Sequence, residues 1–267
     1  MQRILPSLSS KFWRAYKIYR SRDKDEFTDL ILSHEDGRFN VHRIIVCSQS
    51  KVLYKACTGE FKVGNFVYTH VEMAKTSRQE SSSGVIDMVE ISYLELKKMV
   101  DFLYSMNYSD DMLEGAGQQT EQNVSLLQLH TRMFALGDRY DIPPLRDAAI
   151  KKYSSRCATS WEPIEFLQSI YDVYGSTADT VRQLRDAACI LVRKNLPRML
   201  EDDDVASIYD KVATEVPEFT RDLLKFYIKA PVYGHCSTCG SNQAMEALQT
   251  RCLQCGKGRT GYYFGLE

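Results

Sequence analysis

No surplus of charge of either sign marks this 267-residue sequence: 34 Lys and Arg stand against 35 Asp and Glu, a formal net charge of −1. A chain so balanced has no global attraction to nucleic acid or to an anionic membrane. It has no apolar run of membrane-spanning length. Met1 to Ser10 lacks the long apolar core and small-residue cleavage site of a secretory signal. Also absent are a Gly-rich phosphate loop, a Gly-x-Ser-x-Gly elbow and a His-Glu-x-x-His helix, so the common motifs of nucleotide handling and hydrolysis give no support to an enzyme. Asp202-Asp203-Asp204 could hold a cation, but an acidic run ahead of a helix reads better as a solvated N-terminal cap.

Cysteine is not scarce, and its placement carries more than its count. Of the eight, Cys47, Cys57, Cys157 and Cys189 are scattered among apolar or helical stretches and read as small buried hydrophobes. A disulfide scaffold is short, secreted and cysteine-dense; this chain is long with no export signal, which points to a reducing compartment, cytoplasm or nucleus or both. The other four form Cys236-Ser-Thr-Cys239-Gly240 and Cys252-Leu-Gln-Cys255-Gly256, with twelve residues between the pairs. Two intervening residues let both sulfurs of a pair reach one ion, and the following glycine permits a tight turn. Cys236, Cys239, Cys252 and Cys255 therefore make a tetrahedral shell for one structural Zn²⁺, with no open position to activate water. A redox pair is the alternative, but redox Cys-x-x-Cys motifs occur singly in a β-α-β setting absent here. His235 adjoins Cys236 and could compete as a ligand, although four cysteines suffice.

Periodicity divides the rest. Phe12, Tyr16 and Tyr19, with Trp13 beside them, make one face of a helix over 11–22, and Arg14 and Lys17 lie opposite. The stripe packs on its own domain or on a second copy, or else lies on a membrane surface; the few aliphatics favour packing. Phe27–Leu32 reads as a strand, His34-Glu35-Asp36-Gly37 as an Asp-Gly turn and Arg38–His42 as the returning strand. Residues 43–57 read as a helix, Val85–Ile91 as a strand and Tyr93–Tyr104 as a helix. Segments 75–84 and 107–122 are polar loops. From Asn123, a candidate N-cap, to Ala230 the chain reads as successive helices, with Pro143-Pro144, Pro163, Pro197 and Pro217 punctuating them. Leu145-Arg-Asp-Ala-Ala149 recurs as Leu184-Arg-Asp-Ala-Ala188, which suits stacked helical hairpins.

Three stretches, taken in order, resemble one family. Phe27-Thr28-Asp29-Leu30-Ile31-Leu32, with Phe39-Asn40-Val41-His42-Arg43 and Ser50 after it, is similar to the opening of a BTB/POZ domain. Phe102-Leu103-Tyr104-Ser105 resembles the end of its Leu-Tyr-Thr/Ser helix, and Leu136-Gly137-Asp138-Arg139-Tyr140-Asp141-Ile142-Pro143-Pro144-Leu145 its closing signature. The resemblance implies an α+β chain. A BTB/POZ domain over 20–155, a small sheet surrounded by helices, would follow the 1–19 amphipathic helix. A helical extension over 156–230 and a zinc ribbon over 231–267 complete it, a layout similar to fungal BTB proteins. Asp29 and Arg43 resemble a charge pair that such domains place at a dimer groove, though capping or packing would serve equally. With Phe12, Tyr16 and Tyr19 they are the candidate interface. His42 reads as a hydrogen-bonded structural residue rather than a catalyst. Segments 62–84 and 107–122 are longer than the family's usual connections.

The function expected is a protein–protein interaction adaptor or scaffold that self-associates as a homodimer and recruits a cullin-3-type ubiquitin ligase. The alternative is a nucleic-acid-associated transcription or chromatin regulator that uses the ribbon. Against it, Arg251, Lys257 and Arg259 face only Glu246 and Glu267, and four thiolates with one Zn²⁺ add −2, which is no phosphate-binding footprint. Tyr262, Tyr263 and Phe264 could stack bases, but suit packing better. Neither nucleic acid nor membrane is expected as a partner.

Overall fold

The computed structural model describes residues 20–58, 84–112, 124–229, 232–236 and 238–245. The chain divides into two compact units, Met1–Arg156 and Cys157–Glu267.

In the first unit, β1 (Leu30–His34) and β2 (Gly37–Val41) form the expected hairpin, in register from Leu30 opposite Val41 to His34 opposite Gly37. The strand starts later than Phe27 because the chain is still turning there: Asp25 and Phe27 hold φ of +53° and +63°. Gly37 opens β2 and is not the turn's left-handed residue. A Cβ on it would lie 2.9 Å from Tyr93 Cε2, so the glycine makes room for that ring. Leu30 and Leu32 point inward, 2% and 0% exposed, as the two-residue period of a strand requires. On the other side of β1 lies β3 (Val85–Asp87), parallel to it, giving the order β2-β1-β3. This strand was expected to reach Ile91. Met88 still donates to the Ser33 carbonyl at 2.8 Å, but the chain then turns, with the Ile91 N–H facing the Met88 carbonyl.

The single helix expected over 43–57 is two, α1 (Arg43–Gln49) and α2 (Lys51–Thr58). Ser50 breaks it: with φ −131° it leaves the helix, accepts the Leu53 N–H on its own Oγ at 3.1 Å and donates to the Tyr140 carbonyl at 2.5 Å. A serine whose hydroxyl caps the next helix competes with continuing the first. Helix α3 (Tyr93–Ser105) starts at a capping box of Ser92 and Glu95 and buries Leu96, Met99, Val100, Phe102 and Leu103. Full burial of each such side chain contributes about 1.5–3 kcal/mol. Helix α4 (Leu126–Arg139) has the same box, Ser125 with Gln128, so the cap is Ser125; Asn123 lies outside the described residues. Pro143 then opens α5 (Pro143–Thr159) as read. Between them Asp141 holds φ +51°. Gly137 admits the start of α5, since a Cβ there would come within 2.9 Å of the Arg146 backbone nitrogen.

The second unit contains α6 (Pro163–Gly175), α7 (Arg182–Met199), α8 (Asp203–Glu215) and α9 (Pro217–Lys229). Helix α6 packs on α8 and α7 on α9. Pro163 and Pro217 open helices, but Pro197 lies inside α7, which runs on to Met199. Proline cannot donate to the carbonyl four residues back; Tyr227 Oη stands 3.5 Å from that Arg193 oxygen and supplies a donor. Asp202 caps α8, accepting from the Asp204 and Val205 N–H groups at 3.0 and 3.2 Å, which is the capping role read for the acidic run. In both pentapeptides the leucine and the second alanine are fully buried. Their arginines anchor what precedes each helix: Arg146 meets Asp138 at 2.9 Å, and buried Arg185 meets Thr177 Oγ1 at 3.1 Å together with Asp179. Asp222, 5% exposed, takes Arg182 at 2.7 Å and Tyr174 Oη at 3.3 Å, joining α6, α7 and α9. The unit ends in a second hairpin, β4 (Val232–Cys236) and β5 (Gly240–Met245).

Candidate functional site

The residues singled out for an interface meet where β2 runs into α1. The first N–H groups of a helix need acceptors. The cap residue His42 offers no side-chain bond to them. Asp29, arriving from the segment before β1, does: its Oδ1 accepts the Arg43 backbone N–H at 2.7 Å. A carboxylate there also suits the positive end of the helix dipole. Asp29 and Arg43 are thus brought together, but through the Arg43 backbone. The guanidinium makes no ion pair with Asp29 among the described residues, and its Nε is buried with no hydrogen-bond partner.

His42 is held on both ring nitrogens. Nε2 lies 2.9 Å from the Glu26 carbonyl, which can only accept, so Nε2 carries the proton. Nδ1 is then an acceptor, and Tyr104 Oη donates to it at 2.7 Å while accepting the His42 backbone N–H at 2.8 Å. Tyr104 is 5% exposed, and burial raises its pKa above the ordinary tyrosine value despite the bond from His42. Arg22 lies over the Tyr104 ring and pairs with Asp101 at 2.9 Å. Residues 20–29 are therefore fastened to α3 by Arg22 and to the β2–α1 junction by His42 and Asp29. The structural role read for His42 is the one it has; its partner Tyr104, from a motif far along the chain, was not foreseen.

Around this junction Phe27 is 89% exposed and Ile44 75% exposed. Sequence pattern hides both: Phe27 sits in what reads as a strand, and Ile44 in an apolar stretch of helix. Only the left-handed turn at Phe27 and the start of α1 turn them outward. Phe12, Tyr16 and Tyr19 lie outside the described residues.

Two thiols of the helical regions, Cys47 and Cys189, are poor nucleophiles. Burial and the neighbouring Cys57 thiol push Cys47 up to about 12, and burial pushes Cys189 up to about 11. Cys57 and Cys189 are buried as expected, whereas Cys47 is only half-buried. Of the four proposed metal ligands, Cys236 ends β4 and Cys239 lies in the turn before β5. Cys252 and Cys255 lie outside the described residues. Among the described residues no three His, Cys, Asp or Glu side chains gather to hold a metal ion.

No curated protein matches this sequence. Among solved structures, the fold is similar to the BTB domain of zebrafish PATZ1, at 12% identity and TM-score 0.36, covering 56% of this chain and 96% of that one. It is likewise similar to the BTB (Tramtrack and Bric a brac) domain of human gigaxonin, at 12% identity and TM-score 0.33, covering 57% and 98%. The family model of the BTB/POZ domain matches residues 18–155, just over half the chain, and takes in all three sequence stretches described above. The chain belongs to the BTB/POZ domain family.

Proposed function

We propose that this chain is an adaptor that self-associates through the surface around the start of α1 and recruits a cullin-3-type ubiquitin ligase. A BTB/POZ domain, which the family model matches over 18–155, is a protein–protein interaction module. The observation that carries the self-association reading is the pair Phe27 and Ile44, two large apolar side chains exposed beside the Asp29–Arg43 contact. Apolar groups grouped on a surface mark interfaces. A two-fold dimer would cover the same patch on each subunit, and the aromatic stripe of Phe12, Tyr16 and Tyr19 lies just upstream to extend it. The placement of the scattered cysteines, with Cys57 and Cys189 buried as small apolar side chains, fits a reducing compartment, cytoplasm or nucleus. No helix among the described residues is long and apolar enough to cross a membrane.

Light scattering at micromolar concentration tests the dimer. The expected mass is twice the 30.7 kDa of one chain, and Phe27→Asp with Ile44→Asp should reduce it to one chain without loss of helical circular dichroism. A wild-type mass of one chain at every concentration overturns self-association. Ligase recruitment is tested separately, by titrating the purified chain with the N-terminal region of cullin-3. Absence of saturable binding overturns that part alone.

A further inference from the structure

We propose that the β4–β5 hairpin carries one half of a closed four-thiolate zinc site, completed by Cys252 and Cys255, and that the ion serves this segment in place of an apolar core. The hairpin itself supplies the first argument. Strands β4 and β5 form a separate two-stranded sheet, and an isolated pair of strands is marginal in water without a helix or further strands behind it. Small segments of this kind are stabilised by a disulfide or a metal.

The second argument is where the cysteines fall. Cys236, the last residue of β4, pairs with Gly240, the first of β5, so Cys236 and Cys239 lie at the two ends of one tight hairpin tip. Gly240 holds φ +91°, a conformation that L side chains rarely adopt. Among the described residues no atom stands within 4 Å of a Cβ built on Gly240, so its positive φ, and not crowding by them, calls for the glycine. The register shift between Gly234 and Cys236 twists the tip further. A Cys-x-x-Cys-Gly spacing across such a tip is the one from which both cysteines of a pair can ligate a single ion. The same five-residue pattern recurs at Cys252–Gly256, which supplies the second pair.

Thiolate sulfur selects a soft tetrahedral ion, zinc or iron, and excludes calcium and magnesium. Binding converts four thiols and Zn²⁺ into a tetrathiolate of charge −2 with release of four protons. Arg251, Lys257 and Arg259 flank the second pair and offset that charge. With four sulfurs bound the ion has no open position, so its role is structural. The site is independent of the adaptor reading, because it lies wholly in the second unit.

The test uses the full chain, purified without chelator. Elemental analysis should give about one zinc per chain, and Cys239→Ser and Cys252→Ser should each remove most of it while Cys189→Ser removes none. Iron in place of zinc, no metal at all, or zinc retained by both variants overturns the proposal. Because a variant could lose the ion merely by misfolding, the wild-type chain exchanged into Co²⁺ provides a second reading. Its visible spectrum should show the ligand-field and sulfur-to-cobalt bands of four thiolates, unchanged by His235→Ala. A spectrum of three sulfurs and one nitrogen that changes with that substitution overturns the four-thiolate shell.

Discussion

The two hairpins among the described residues are of similar length and differ in what surrounds them. In the first, β1 and β2 pair without a register shift, β3 lies alongside, and Leu30, Leu32 and Val41 are buried beneath. In the second, β4 and β5 pair with a shift and form a sheet of their own. The glycines divide the same way. Gly37 is required because Tyr93 occupies the space a side chain would need, whereas Gly240 is required by its backbone angle alone. A strand pair can be specified by what packs on it or, as proposed for the second, by a metal that ties its tip, and each would leave its own mark on which residues are irreplaceable.

Removing metal should separate the two most sharply. With a strong chelator, amide exchange over 232–245 should rise to that of an unfolded segment, since structural zinc contributes on the order of 10 kcal/mol to such a module. Exchange over 30–41 should not move; parallel loss in both hairpins would abolish the distinction. Next in size is Leu32→Ala, which empties a fully buried position and should cost about 2–5 kcal/mol. Thermal unfolding should register it in the first unit, with zinc content unchanged. Tyr104→Phe leaves the His42 backbone N–H and Nδ1 without their common partner and should cost about 1–3 kcal/mol. Faster proteolysis between residues 20 and 29 would accompany it, and an unchanged cleavage rate would show that Arg22 and Asp29 alone hold that segment. The glycines have effects of similar size or smaller. Gly37→Ala should destabilise by about 1–3 kcal/mol through overpacking, and shrinking its neighbour with Tyr93→Leu should offset part of that. Gly240→Ala should cost about 1 kcal/mol or more through backbone strain. It should appear as weaker zinc retention.

Much of the first hairpin is legible in sequence because burial writes a pattern: Leu30 and Leu32 alternate, and the turn lies between them and Val41. Its start is not, because the positive φ at Asp25 and Phe27 belongs to residues with no glycine to announce it. The helix break at Ser50 escapes periodicity for a similar reason. Apolar residues continue on both sides, and only the hydroxyl's bonds to Leu53 and Tyr140 decide the matter. Pro197 misleads in the opposite direction, since its breaking tendency is outweighed by the packing of α7 on α9. The capping boxes at Ser92 and Ser125 are readable three residues at a time. At the candidate interface, Asp29 and Arg43 could be picked out by motif, but which atoms meet could not. Charge type suggests an ion pair, whereas the helix start needs an acceptor for its N–H. The exposure of Phe27 and Ile44 has no sequence signature, since apolar residues read as interior until the chain is folded.

The parallel pairing of β1 with β3 has a consequence for how the first unit is assembled and how it can change. Ile31 and Val85 are separated in sequence by α1, α2 and the residues beyond Thr58, so by chain entropy the β1–β2 ribbon, closed by a tight turn, is the easier step and the pairing with β3 the later one. The register of that late step is set by Leu32 and Ile86 entering the interior together, and not by the length of chain joining them. Doubling the number of residues that join two paired strands costs only about 0.6 kcal/mol in closure entropy. The stretch between Thr58 and Val85 is therefore a place where a lineage can gain or lose whole segments at little thermodynamic cost. New binding sequences can be tried there while the strands on either side keep their partners.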